Sequence, residues 1–492
     1  MPSLSSRQPA PLAAILPVLA GAFVLASPAL AQDEQRRLER AARRLPDPAP
    51  GPASRPGSLS FTERAYLDAG GAATITGLWL DDSADNARRL IQYETAVYAR
   101  GSLGPHTLFA RARARYRDFS PGDSFDGRGD RWVEPWLDLY WYELTLAGDP
   151  ATPGAGSADL PGATTFSVRA GRQYVDWAGG LALSENLYAV RPTLLLAGGR
   201  LGFEALAGIT PSDQSVVDFD ASRAEFDSDT RRGFFGGLVR YRTTGADQVY
   251  AYVLHMPDYN TDTAARFGVL TPVNFDYEAT YWGLGASGSL GPDWLYLAEA
   301  VYQTGHSMSD PLRTAAQTRE EISAFAGRGQ LSYLLGDPGL TRLEAELLLA
   351  SGDADRQLAS ETVGGNLAGT DDHGFNSLGL ANTGLAFAPS LSNIATLRLG
   401  ASTFPLRQRA ALDRLSIGAD VLVFAKLNDD APIDEPTRRE AFLGLETDAF
   451  VNWRLTSDLS LSGRYGVFFP GSAILLERDT RHFVMVSVTL SF

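Results

Sequence analysis

The chain contains no cysteine, which excludes disulfide frameworks, thiolate metal sites and cysteine nucleophiles. Lysine is almost as scarce: Lys426 stands alone, and arginine supplies the other side-chain cations. Positive charge is in deficit, with 43 Lys+Arg against 58 Asp+Glu and a formal net charge of −15. A nucleic-acid partner needs the opposite balance and is not expected. The five histidines, His106, His255, His306, His373 and His482, are scattered without metal-ligand spacing. No H-E-x-x-H, S-x-x-K or G-x-S-x-G pattern occurs. The G-x-G-x-x-G match at 283–288 lies inside an alternating segment and opens no helix, so it fails as a dinucleotide site. No catalytic residue, metal or cofactor is therefore expected. Long apolar runs are missing beyond the first thirty-odd residues, so no membrane helix is expected there.

What is present is aromatic and glycine-rich: Gly 49, Phe 24, Tyr 18 and Trp 8 in 492 residues. Arg7, the apolar run 12–25 and Ala29-Leu30-Ala31 form the pattern of a secretory signal peptide over 1–31. Residues 32–57 form a charged segment that suits a short exposed helix, followed by a linker with prolines at 46, 48, 50, 52 and 56. The structured part runs from 58 to 492.

From there the chain alternates apolar and polar residues with period two. Ala441, Leu443, Leu445, Thr447, Ala449, Val451 and Trp453 interleave with Glu440, Gly444, Glu446, Asp448, Asn452 and Arg454. Side chains of a strand point alternately to opposite faces, so each strand has one apolar and one ionic face. Fifteen alternating positions exceed an ordinary soluble strand and suit a membrane strand of about 9–11 residues with overhangs. Nine long polar connections (81–89, 119–131, 174–188, 210–231, 257–277, 305–320, 352–392, 427–440, 470–481) alternate with eight others. Seven of the eight are tight and 147–163 is longer. Short periplasmic turns alternating with long extracellular loops mark an outer-membrane β-barrel. The count gives 18 antiparallel strands from about Ala72 to Phe492, with both ends in the periplasm; parity excludes 59–69 from the wall. The C-terminal strand ending in Phe492 is expected to engage the barrel-assembly machinery, and the apolar faces to meet outer-membrane lipid.

Gly171-Arg172-Gln173 resembles the "GRQ" strand of the alginate export family of outer-membrane barrels. Glu344-Ala345-Glu346, leading to Ser351-Gly352-Asp353, is similar to that family's E-x-x-x-x-S-G-D strand end. Gly444-x-Glu446-x-Asp448, followed by Tyr465-Gly466-x-Phe468-x-Pro470-Gly471, resembles its C-terminal signature. The resemblance covers about 60–492 and implies an 18-stranded barrel, a polysaccharide conduit and an arginine-lined constriction.

The polar faces carry the expected selectivity residues. Arg111, Arg113, Arg115 and Arg117 share one strand face. Toward lipid each would cost about 2–4 kcal/mol near the midplane, so they must line the lumen. Arg240 and Arg242 form a second ladder, and Arg169, Arg172, Arg398, Arg414, Arg454 and Arg464 are further candidates. Glu94, Glu134, Asp138, Glu299, Glu344, Glu346, Asp420, Glu446 and Asp448 are the expected lumenal carboxylates. One reading is a zone attracting anionic polysaccharide or small anions, with the 111–117 ladder as its unpaired charge. The opposing reading is a cross-strand ion-pair network that stiffens the wall. Trp79, Trp132, Trp136, Trp141, Trp282, Trp294 and Trp453 suit interfacial girdles. The acidic groups Asp218/Asp220, Asp227/Asp229 and Asp371/Asp372 are calcium-ligand candidates against the plainer reading of solvated loops. A channel for an acidic polymer ranks first, a general or small-anion porin second, an enzyme third and an adhesive barrel fourth.

Overall fold

A computed structural model describes residues 65–492 except 82–86, 121–129, 148–163, 211–231, 244–246, 260–262, 266–271, 275, 311–316, 357–365, 380 and 476–477. The leader, charged segment and proline-rich linker lie outside the described residues, as do the acidic groups at 218–229.

The strands are β1 (Ala65–Asp81), β2 (Ala87–Leu103), β3 (His106–Phe119), β4 (Arg131–Ala147), β5 (Thr165–Asp176), β6 (Ser184–Leu196) and β7 (Leu201–Ile209). They continue with β8 (Gly233–Arg242), β9 (Gln248–Met256), β10 (Thr263–Ala265), β11 (Pro272–Asn274), β12 (Tyr277–Ser289) and β13 (Trp294–Met308). The last are β14 (Arg319–Leu334), β15 (Arg342–Ala350), β16 (Ile394–Thr403), β17 (Leu415–Ala425), β18 (Phe442–Arg454), β19 (Leu459–Pro470) and β20 (Arg481–Ser491). Apart from the small β10–β11 hairpin, they form one 18-stranded sheet in which neighbours in the chain pair antiparallel. β20 closes on β1 from Ala72↔Ser491 to Leu80↔Phe483. Closure leaves no edge along this seam and satisfies the backbone polar groups between strands, as a lipid-embedded sheet requires. No helix of the described residues is long and apolar enough to cross a membrane; strands are the alternative.

The expected order of connections is recovered, but not every length: β16 joins β17 through 404–414, longer than the tight turn expected at 405–408, and β5 joins β6 through only 177–183 of the expected 174–188. A boundary of the wall differs as well. Residues 65–71 were expected outside the wall, yet they extend β1, pairing with 97–103 of β2 past the end of β20. Parity was right because this stretch is not a further strand but the overhang of the first one.

The period-two pattern sorts side chains between two environments. Leu108, Leu284 and Trp282 are 61%, 66% and 54% exposed on the outer face, a lipid-compatible belt rather than a soluble surface. Trp132 and Trp294 also lie exposed, as girdle residues should. Trp136 and Trp141 depart from that expectation: arginines stack on both, Arg115 at 5.6 Å and Arg169 at 4.1 Å. Register explains this. The β3–β4 pairing shifts between Arg111/Ala112 and between Arg113/Arg115. β4 therefore carries extra residues near Asp138 and Pro135, and such bulges re-aim neighbouring side chains.

In the β14–β15 turn, the Asp337 carboxylate accepts from the Thr341 amide (2.7 Å) and hydroxyl (2.8 Å). The backbone donor, then the hydroxyl, hold its carboxyl below the ordinary value. The turn is thus stabilised above the unfolded value of about 4, and this is lost as pH falls through the lowered one. In detergent the whole protein should give a β-dominated circular dichroism spectrum and heat-modifiable gel migration. Monomeric solubility without detergent would contradict the barrel.

Candidate functional site

β2, β3 and β4 present the arginine ladder to the interior. Arg115 lies opposite Glu94 in the ladder register, with Nη2–Oε2 at 2.8 Å and Nε–Oε2 at 2.9 Å. Arg113 reaches Asp138 at 2.8 Å and Glu94 at 3.5 Å. Arg111 grips Asp138 through Nε at 3.1 Å and Nη2 at 2.7 Å. Three guanidinium groups thus share two carboxylates, which corrects the expectation of an unpaired ladder. The cause is the β4 bulge, which sets Asp138 between Arg111 and Arg113, where sequence alternation does not place it. Arg117, at the long-loop end of the row, is buried.

A second ionic group occupies the facing wall. β3 and β14 lie nine steps apart in the 18-stranded ring. On β14 to β17, Arg398 binds Glu344, Glu346 (2.5 Å) and Asp420 (3.2 Å). Arg328 joins Glu346 at 2.6 Å, and Arg342 joins Glu344. Three cations meet three anions, so this group braces four strands with little net charge.

Around the rest of the ring, Arg169 pairs with Glu143 at 2.7 Å. Arg240 lies 3.8 Å from Glu204, which also holds Arg191. Arg172 is buried, with its guanidinium 5.7 Å from the Tyr188 ring centre. Glu299 accepts from the Tyr252 hydroxyl at 2.8 Å. Arg454 donates to the Ser457 carbonyl at 2.8 Å in the β18–β19 turn. Arg242 and Arg414 are exposed. The side chain of Glu134 lies outside the described residues.

The least expected feature is a pair of loops folded into the barrel. The β5–β6 connection, 177–183, buries Trp177, Leu181 and Leu183. It meets the β15–β16 connection, 351–393, through the bridge Leu183↔Leu378 and the Ser377 hydroxyl donating to the Leu181 carbonyl at 2.7 Å. The longer loop touches several walls. Tyr281 of β12 donates to the Asn376 carbonyl at 2.8 Å, and Gln303 of β13 accepts from the Asn376 amide at 3.0 Å. Ser307 of β13 donates to Asp372 at 3.0 Å. Farther round, Phe387 stacks on Phe468 of β19 at 4.2 Å and meets Phe424 of β17 edge-on at 5.1 Å. Wall residues Leu80, Leu90 and Phe483 and loop residues Trp177, Phe375, Phe387, Ile433 and Ile474 form one buried apolar cluster. The long-loop end of the lumen is therefore packed, whereas polar side chains line the short-turn end.

This reassigns Glu446, expected to line the pore. Its carboxylate is fully buried and accepts the backbone amides of Leu385 (2.5 Å), Ala386 (2.8 Å) and Phe387 (2.8 Å). A carboxylate meeting three amides in a nest is a charge-assisted anchor. Asp448 is also buried against the loop side of the wall, near Gly466 and Leu385. The S-G-D segment starts the same loop: Ser351 accepts from the amides of Phe375 and Asn393 through its carbonyl, and Asp353 accepts from His373. Asp372, a calcium candidate, is taken by Arg356 at 2.5 Å, and no metal-sized acidic group exists among the described residues.

A closed antiparallel barrel with an apolar exterior, a charged interior and inward-folded loops is a channel of the Gram-negative outer membrane. The alginate export family model matches residues 215–486, more than half of the 492 residues, and the chain belongs to that family. No curated protein matches the sequence. Among solved structures, OccK2 (OpdF) of Pseudomonas aeruginosa is similar at 14% identity and TM-score 0.51, covering 88% of this chain and 100% of its own. OccAB2 of Acinetobacter baumannii is similar at 9% identity and TM-score 0.50, covering 88% of this chain and 99% of its own. At such identities the likeness concerns the fold.

Proposed function

We propose that this channel passes an anionic polysaccharide, or another acidic solute, through a lumen whose arginines set selectivity. The observation that carries the reading is the ladder on β3, where Arg111, Arg113 and Arg115 outnumber Glu94 and Asp138. The net acid of the chain does not oppose this, because a permeating ion responds to the lumenal field, which low-dielectric walls concentrate. Family membership supports the polymer. The inward loops favour a second reading, a small-anion porin without a polymer role, because they narrow the path.

The double variant R113S/R115S tests the charge. It leaves two carboxylates to Arg111, so the chloride-to-potassium permeability ratio should fall by roughly tenfold, the scale of ~1.4 kcal/mol. Reversal potentials across a salt gradient read this directly, and the barrel should survive because lumen substitutions tune selectivity more than stability. A cation-selective wild type, or an unchanged potential, would make the ladder a brace only. Polymannuronate oligomers separate the two readings: a polymer channel is blocked more strongly as the oligomer lengthens, whereas a small-anion porin is indifferent to length.

A further inference from the structure

β1 and β20 close the barrel over unequal lengths. Their pairing ends where the Gly71 amide donates to the Phe492 carbonyl at 2.8 Å and the Phe492 amide to the Gly71 carbonyl at 2.9 Å. Past that pair β1 continues from Gly70 to Ala65, matched residue for residue by β2 from Tyr98 to Leu103. On its other side it has no neighbouring strand among the described residues. Successive residues of an antiparallel strand direct their backbone groups to alternate sides. Gly71 faces β20, so Ala69, Leu67 and Ala65 turn their N–H and C=O groups to the open side. Leu67 is also 78% exposed. An open edge beside an exposed leucine is a template for one more strand.

The edge lies in line with β20, within the ring of strands. A second barrel approaching through the membrane therefore meets the outer face instead. The chain itself enters at Ala65, the far end of the same edge. Just before it, apolar Leu59 and Phe61 alternate with Ser58 and Ser60. A turn at Thr62-Glu63-Arg64 would set Phe61 opposite Ala65, Leu59 opposite Leu67 and Gly57 opposite Ala69. Three-residue loops are common in hairpins. In this register Leu59 and Phe61 share the outer face with Leu67, while Ser58 and Ser60 share the inner face with Asp68 and Tyr66. A slip of one residue would reverse both faces. Pro56 cannot donate to a ladder, so the added strand begins at Gly57, level with the end of the gap below Phe492.

We propose that residues 57–61 fold back as a short strand on the open edge of β1. The strand covers an edge that would otherwise recruit a foreign chain. It also fixes the charged segment and proline-rich linker, 32–56, beside the closing seam. The assignment is independent of the cargo.

Engineered cysteines test it in outer-membrane fragments carrying the full protein, which has no cysteine of its own. Ser60 and Tyr66 would form a pair without backbone hydrogen bonds, with Cα atoms about 4.5 Å apart, inside the range a disulfide spans. Under diamide, S60C/Y66C should link within one chain, and S60C/L67C, with its thiols on opposite faces, should not. Trypsin cuts after Arg64, so the linked peptides stay joined until reduced and mass spectrometry reads them directly. Equal linkage in both variants, or a dimer-sized product of Y66C alone, overturns the assignment; the latter gives the edge to a second copy. Hydrogen exchange supplies a second measurement should the disulfide fail to form. L59P/F61P removes two donors from the added strand, so the Leu67 and Ala69 amides should exchange about tenfold faster than in the wild type. Heat-modifiable migration should be unchanged, because the substituted residues precede the wall. Exchange that stays slow in the variant would give the edge to another occupant, and exchange equally fast in both proteins would leave it uncovered; either overturns the proposal.

Discussion

Replacing residues 352–392 with Asn-Gly should raise single-channel conductance several-fold while leaving the barrel folded. Two facts support each half of that expectation. The replaced segment meets the walls through Asn376, Asp372 and Phe387 and shares a buried cluster with the β5–β6 loop. It therefore occupies volume that ions would otherwise use. The flanking strands do not need it, because Ala350 and Ile394 lie opposite one another in the ladder, and the Asn393 amide donates to the Ser351 carbonyl at 3.0 Å. A two-residue type I′ turn closes such a register, and Asn-Gly is its preferred sequence. Asn393 is retained because its side chain donates to the carbonyls of Asn428, Ala431 and Pro432. Selectivity should weaken with the widening, since screening by water and salt grows with the bore. Unchanged conductance with intact heat-modifiable migration would show that the loop lies beside the path.

The wall was legible in the sequence because lipid enforces a period that no loop can imitate. Leu343, Ala345, Leu347 and Leu349 had to face one way, and Glu344 and Glu346 the other. The register Glu346↔Arg398 follows once strands of that phase are paired in order. Local irregularities were not legible. Nothing in the alternation of β4 announces that Asp138 sits on a bulge between Arg111 and Arg113, although Pro135, which cannot donate to a ladder, was a usable signal. The loops were read as external because they are long and polar on average. Their inward turn depends on contacts remote in sequence, such as Tyr281 with Asn376. The family signature was visible as a motif, but its role was misassigned: Glu446 anchors the loop, and Phe468 of the following strand receives Phe387.

Glu446 gives the second large effect. In E446A the amides of Leu385, Ala386 and Phe387 lose an acceptor that is itself fully buried. Each buried unsatisfied group costs about 1–3 kcal/mol, more than the segment 381–391, held to this part of the wall chiefly by Phe387, can absorb. The loop should leave the wall rather than tolerate that cost. The expected signs are rapid proteolysis within 381–391, a higher and noisier conductance, and little loss of barrel stability, since the β17–β18–β19 ladders do not pass through this carboxylate. E446Q should be intermediate, because one amide oxygen can still take Leu385 and Ala386 while its NH₂ group confronts the Phe387 amide. G384A should resemble E446Q: Gly384 has φ +95°, and an added Cβ would lie 2.7 Å from Oε1 of Glu446. E344Q serves as the contrast, since it perturbs the Arg398 group without touching the loop. It should alter selectivity and leave proteolysis unchanged. If E446A keeps both a protected loop and the wild-type current trace, the carboxylate is not what holds the loop, and its other contacts, the packing of Phe387 against Phe424 and Phe468 among them, carry the docking.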